Sequence, residues 1–277
     1  YLFFTLPDHF NFNFIKQKKP ELLSLNYINN FTAGLTFFIA VAATNLFHQG
    51  NWQRVYAAQN NKTLTYSLIL SLLIVTPIVF IMGFSGLVAI SQDANVNADL
   101  AFFYLILQKQ NLYISGMLIF LSISLAISSI DTIINAISSL IIVDAKKVIS
   151  SKLNSIKLSN AIVLALCLIT FIVSSKGLSI LYLFLLADLF CCSAVISVFY
   201  CFYRKDINTK QVIFSITIGL ISGLLFFPSP NFTQSLLVGL ILPAKYFPTF
   251  ISESLLFVSF LVATFLPVLV IKIKKIF

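Results

Sequence analysis

The residues best suited to chemistry are polar groups set in a run of aliphatic ones. Ser122, Ser124, Ser128, Ser129, Asp131, Thr132, Asn135, Ser138 and Ser139 interrupt an otherwise apolar stretch over 113–143. Ser124, Ser128, Asp131 or Thr132, and Asn135 recur at three- and four-residue spacing, which places them on one helix face. Neighbouring Ser128 and Ser129 offer two hydroxyl oxygens near one point, a donor set that suits a hard cation such as Na⁺. Hydroxyls in an apolar helix also serve as helix–helix glue. A carboxylate on the same face shifts the balance, because ionisable groups at bilayer depth mark ion, proton or substrate paths. Asp131 and Asn135 are therefore candidate gating or coupling residues. Asp188, inside the apolar run 185–190, is a third: either a partner for a polar group on a neighbouring helix, or a gate or proton-linked group.

A second constellation follows the first apolar run. Asn45, His48, Gln49, Asn51, Trp52 and Arg54 cluster around Gly50. A helix break there would expose backbone amides and carbonyls to a solute or ion, as in discontinuous transporter helices. An interfacial cap with Trp52 and Arg54 at the headgroup level is the alternative.

Enzyme chemistry finds little support, and the chain reads as a non-enzyme. Asp131 and Asp188 lack the Gly-rich surroundings of an intramembrane aspartyl protease. No G-x-S-x-G elbow occurs, and His9 and His48 are the only histidines. Cys167, Cys191, Cys192 and Cys201 form no C-x-x-C pair, so zinc is not expected and the thiols read as small apolar packing groups.

The elements that must position these groups are membrane helices. Apolar residues make up 59% of the chain and charged ones 10%, with mean hydropathy +0.98, too apolar for a soluble shell. A bilayer core of about 30 Å takes roughly 20 apolar helical residues. Spans are expected at 31–47, 65–90, 113–143, 158–173, 178–200, 212–227 and 255–271, with Pro77 bending the second and Pro267 the last. A re-entrant piece is expected at 235–242. The fold class is thus an all-α polytopic bundle of about seven helices. The chain starts at Tyr1 with no leader pattern, which leads to the expectation of a fragment.

The net charge of +9 sets topology rather than nucleic-acid binding, since no basic stripe with interleaved aromatics appears. Arg54, Lys62, Lys146, Lys147, Lys152, Lys157, Arg204, Lys205, Lys210, Lys272, Lys274 and Lys275 fall on one side, expected to be cytoplasmic. Lys109, Lys176, Lys245 and Lys16, Lys18 and Lys19 fall on the other. The expected partners are the lipid bilayer of a cell (inner) membrane and a small polar solute.

Two segments together resemble the sodium:solute symporter family. The stretch from Asn45 to Ala58 is similar to its "WQR…AA" segment. Ser128-Ser129-Ile130-Asp131-Thr132, followed by Asn135-Ala136 and Asp144, is similar to its "SS-x-D-S…N-A…D" helix. Leu186-Ala187-Asp188-Leu189-Phe190-Cys191 resembles a later helix of members carrying the WQR form. The resemblance implies a LeuT-like fold with inverted repeats and midplane ion and solute sites. Residues 30–205 would be the second repeat and 206–277 accessory helices in a single transmembrane domain. It implies Na⁺ as coupling ion, held by the Leu125 carbonyl with Ser128 and Ser129, and solute contacts from Phe47, His48 and Gln49. It also implies a missing first repeat, so that the chain alone would be an inactive part of a Na⁺-coupled symporter needing its N-terminal half as partner. A non-transporting sensor-like module and a proton-coupled carrier are the rival readings.

Overall fold

The computed structural model describes residues 10–24, 26–93, 95–97, 100–107, 112–148, 155–204, 206–232, 234–238 and 249–272. These residues are helical, apart from connecting turns and one isolated bridge between Pro228 and Ser235. In chain order the helices are α1 (Phe12–Lys18), α2 (Ile28–Phe47), α3 (Gln49–Ala57), α4 (Asn61–Gln92), α5 (Ala101–Leu107), α6 (Leu112–Val148), α7 (Ser155–Ser174), α8 (Ile180–Tyr203), α9 (Thr209–Phe226), α10 (Thr249–Glu253) and α11 (Leu255–Lys272), with a 3₁₀ turn at Pro20–Leu23. Seven are long and apolar enough to cross a bilayer: α2, α4, α6, α7, α8, α9 and α11. The protein is a multi-pass helical membrane protein.

The helix ends follow from local chemistry. Asn60 caps α4 by accepting from the Thr63 amide at 2.8 Å. At α9 the Gln211 side chain reaches back to the Asn208 amide at 2.9 Å, the reciprocal half of a capping box. Between α2 and α3 the chain breaks at His48, whose backbone is extended (φ −70°, ψ 106°). Of the re-entrant piece expected at 235–242, residues 239–242 lie outside the described residues. So do Lys109, Lys152, Lys205, Lys245, Lys274 and Lys275.

Packing divides the chain into two compact units. They cut across the boundary expected at 205/206, because α2 packs with the C-terminal helices. The first unit holds 1–19 and 49–178. In it α5 lies on α4, α7 on α6, and α3 on α6. The N-terminal segment is tied to α4 by the Asn11 amide donating to Ser91 Oγ at 3.2 Å and by the Phe10 and Phe84 rings at 5.5 Å. The most apolar windows of α4, α6 and α7 have no buried residues. Such all-round apolar helices suit a lipid surround.

The second unit holds 20–48 and 179–277 and has the denser core. Ala40, Ala43, Tyr182, Leu185, Leu189, Cys192, Phe227, Phe260 and Ala263 form one buried cluster where α2, α8, α9 and α11 meet. Glycine makes the closest approach possible. Pro267 has no amide hydrogen for the Ala263 carbonyl one turn earlier. A Cβ on Gly219 would lie 2.9 Å from that carbonyl oxygen and would collide with the Pro267 ring. A Cβ on Gly223 would lie 2.8 Å from Ala263 Cβ. This Gly-x-x-x-Gly seam is a small-residue contact of the kind that joins helices in lipid. Ser259 Oγ crosses it to donate to the Gly223 carbonyl at 2.7 Å.

Candidate functional site

Among the described residues of the second unit, Asp188 is a carboxylate taken inside. It lies about 12 Å along α8 from Ile180, at 1.5 Å per residue, and is only 8% exposed. Leu185 and Leu189, one turn before and next to it, are buried core residues. The Thr44 hydroxyl of α2 donates to Asp188 Oδ1 at 2.5 Å. The approach is possible because α2 buries a face of small side chains, Thr32, Thr36, Ala40 and Ala43. Cys191 lies beside Thr44, and the Cys192 thiol points at the Ile39 carbonyl at 3.8 Å. A carboxylate removed from water needs such donors. Of the two readings open for Asp188, the structure shows the hydrogen-bonded partner across helices. Further along α8, Ser215 Oγ donates to Ser197 Oγ at 2.9 Å with both side chains buried.

The α6 stripe sits differently. Leu125 is 60% exposed, and Ser128, Ser129, Asp131 and Asn135 are exposed too. Asn135 Nδ2 donates to Asp131 Oδ1 at 3.1 Å, and Thr132 Oγ1 donates to the Ser128 carbonyl at 2.9 Å. These bonds stay within the helix, the local satisfaction expected of a polar group in an apolar helix. Three residues beyond Asn135, Ser138 Oγ is buried with no hydrogen-bond partner. Leu125, Ser128, Ser129 and Gln49 belong to the first unit, where α3 and α6 pack together, with Gly50 buried on α3. Phe47 and His48 belong to the second. The Phe47 ring meets Phe199 edge-on at 6.0 Å, and His48 is exposed.

A pocket of about 250 Å³ opens at the other end of α2. Asn29, Thr32 and Thr36 form one wall, Pro228 and Phe232 another, and Glu253, Ser254 and the first turn of α11 the third. The Pro228 wall is a tight clasp. The Ser229 amide donates to the Gln234 carbonyl at 2.8 Å, the Leu236 amide to Phe227 at 2.7 Å, and Ser235 Oγ to the Leu225 carbonyl. Phe232 is held with φ +56°, a left-handed backbone rare for a bulky residue. Its ring meets Tyr182 at 6.0 Å in a T-shaped pair.

The chain matches no family model, no curated protein and no solved structure.

Thr44 and the pocket lie outside the constellations that stand out in the sequence. Asn29, Thr32 and Thr36 follow the same three- and four-residue spacing that singled out the α6 stripe, so that signal was present. Thr44 had none of its own, since its partner lies 144 residues away.

Proposed function

We propose that this chain is part of a cation-coupled carrier of a small polar solute, with Na⁺ as the coupling ion. One observation carries the reading: a carboxylate, Asp188, is kept inside a membrane helix bundle and held by the Thr44 hydroxyl. Isolating a carboxylate from water is costly, and membrane proteins that retain one generally use it on an ion or substrate path. The chain break at His48, whose amide donates to the Asn45 carbonyl at 3.3 Å, lies one turn beyond Thr44 and ends the same helix beside the buried carboxylate. The motif resemblance to sodium:solute symporters supplies the ion and the LeuT-like architecture. In this reading Leu125, Ser128 and Ser129 ligate Na⁺ by carbonyl and hydroxyl oxygens. Asp131, Asn135 and Asp188 couple its occupancy to helix movement, and Phe47, His48 and Gln49 face the solute. The ion drives transport only through its different affinity for the two conformations.

The test is charge displacement on a solid-supported membrane carrying proteoliposomes of the full-length protein. A Na⁺ concentration jump is expected to give a saturable transient that K⁺ does not give. Ser128→Ala combined with Ser129→Ala should raise the half-saturating Na⁺ concentration at least tenfold. Asp188→Asn, which keeps an acceptor for Thr44, should abolish the transient while the protein still folds. Equal transients from Na⁺ and K⁺ would overturn the sodium assignment. A transient that follows a pH jump, ignores Na⁺ and is lost in Asp188→Asn would establish the proton-coupled alternative.

A further inference from the structure

We infer that the pocket between α2, the 227–236 clasp and the start of α11 is a binding site for a small organic cation, an alkylammonium or guanidinium compound. As a binding site this stands apart from the carrier reading; as the identity of the cargo it rests on it.

The argument starts from where the protons go. A threonine or serine hydroxyl has one hydrogen to donate and two lone pairs. Thr32 Oγ1 gives its hydrogen to the Asn29 carbonyl at 3.1 Å, and Thr36 Oγ1 gives its hydrogen to the Thr32 carbonyl at 2.7 Å. Ser254 Oγ aims its hydrogen at Asn29 Oδ1 at 3.5 Å. With these donors turned on the protein itself, the hydroxyl oxygens have lone pairs left to offer a ligand. Among the described lining residues, Glu253 carries the only charge. Such a wall rewards a ligand that is positively charged and rich in N–H donors. The first-turn amides of α11 and Asn29 Nδ2 are donors on the same lining, so the preference for a cation over a neutral or anionic ligand rests on the Glu253 carboxylate.

Size and the apolar part of the lining separate an organic cation from a bare ion. A volume of about 250 Å³ is far roomier than an ion's oxygen cage, and Ala33, Pro228, Leu255 and Leu256 are walls for a hydrocarbon body. Phe232 and Phe257 line the same space, and an aromatic face attracts an organic cation. The clasp that fixes Phe232 in its disfavoured backbone conformation makes this wall a preformed one.

Isothermal titration of the full-length protein in nanodiscs, in K⁺ buffer with no ion gradient, tests the inference. Methylguanidinium is the probe, and methylurea is its neutral near-isostere. Saturable methylguanidinium binding is expected, with methylurea at least tenfold weaker. Glu253→Gln should weaken methylguanidinium at least tenfold. Thr36→Val, which keeps the shape and removes the lone pairs, should weaken it at least threefold. Thermal unfolding reports whether each variant is folded. Should the buried Thr36 variant fail to fold, the exposed Glu253 variant still decides. Methylurea binding as tightly as methylguanidinium, or Glu253→Gln binding like the unaltered protein, would overturn the proposal. So would Na⁺ binding at this site with no methylguanidinium binding. Asp188→Asn, expected to abolish Na⁺-driven charge movement, should leave this titration within twofold, so failure of the carrier reading and failure of this one are told apart.

Discussion

The Thr44–Asp188 contact sets two costs against each other. Taking a carboxylate out of water is expensive, and a hydroxyl donor recovers part of that cost. Hydrogen bonds between helices in a membrane are modest, about 0.6 kcal/mol on average and about 1.7 at most in one well-measured case, while bonds to a charged group run to about 1.5–3 kcal/mol. Thr44→Val keeps the shape and deletes the donor. It is expected to destabilise the second unit by about 1–2 kcal/mol, whereas Thr44→Ser should be close to neutral. Unfolding in mixed detergent micelles, followed by helical circular dichroism, measures both. A valine variant as stable as the unaltered protein would mean that the bond contributes nothing and that Asp188 is satisfied some other way. The residue scale also shows how unevenly polar groups are treated. Asp188 is buried and bonded across helices, whereas Asp131 is exposed and bonded one turn along its own helix. Both were visible in the sequence as carboxylates in apolar runs, but only packing separates them.

At the scale of elements, the α9–α11 seam is the clearest case of sequence dictating packing. Gly219, Gly223 and Pro267 act together: the proline frees the Ala263 carbonyl, and the glycines let α9 approach it. Gly219→Val would push a branched side chain into the Pro267 ring. An overpacking cost of about 1–3 kcal/mol is expected. Gly34 on α2 is the control, since nothing lies within 4 Å of a Cβ built there. Gly34→Ala should be neutral or stabilising by up to about 1 kcal/mol from helix propensity. The same micelle unfolding assay reads both, and equal effects at the two sites would remove the close-approach explanation. The spans themselves were legible. Expected and observed limits differ by only a few residues at each end, because charge-free runs and their polar flanks set helix length directly. What pairs with what was not legible. Periodicity names a face but not its partner, and α2 joins α8 and α11 across more than a hundred residues. The clasp at 227–236 escaped as well, because all but the Ser235 hydroxyl bond are backbone bonds, which Pro228 and Pro230 announce only as a helix stop.

At the scale of the whole molecule, the second unit carries the clearer evidence for orientation. In the second unit Arg204, Lys210 and Lys272 stand at the helix ends shared with Phe47, and the pocket with Glu253 lies at the opposite ends. In the first, Arg54, Lys62 and Lys157 flank one set of ends, while Lys16, Lys18, Lys19 and Lys176 stand with Asp93 at the other, so positive charge there is split between the two ends. Positive charge near short loops holds those loops in the cytoplasm, so the pocket should open outward and the His48 break inward. This decides what the proposed cation site is for: an outward pocket samples the medium, and an inward one samples the cell. Single cysteines placed in a background with Cys167, Cys191, Cys192 and Cys201 changed to alanine read the orientation in intact cells. Glu253→Cys and Asp93→Cys should react with a membrane-impermeant maleimide from outside. Lys210→Cys and Lys62→Cys should react only after the membrane is permeabilised. The reverse pattern would turn the pocket toward the cytoplasm. Opposite results for the Glu253 and Asp93 positions would mean that loop charge does not set the topology of both units, and that lysine and arginine counts had been given more weight than they carry.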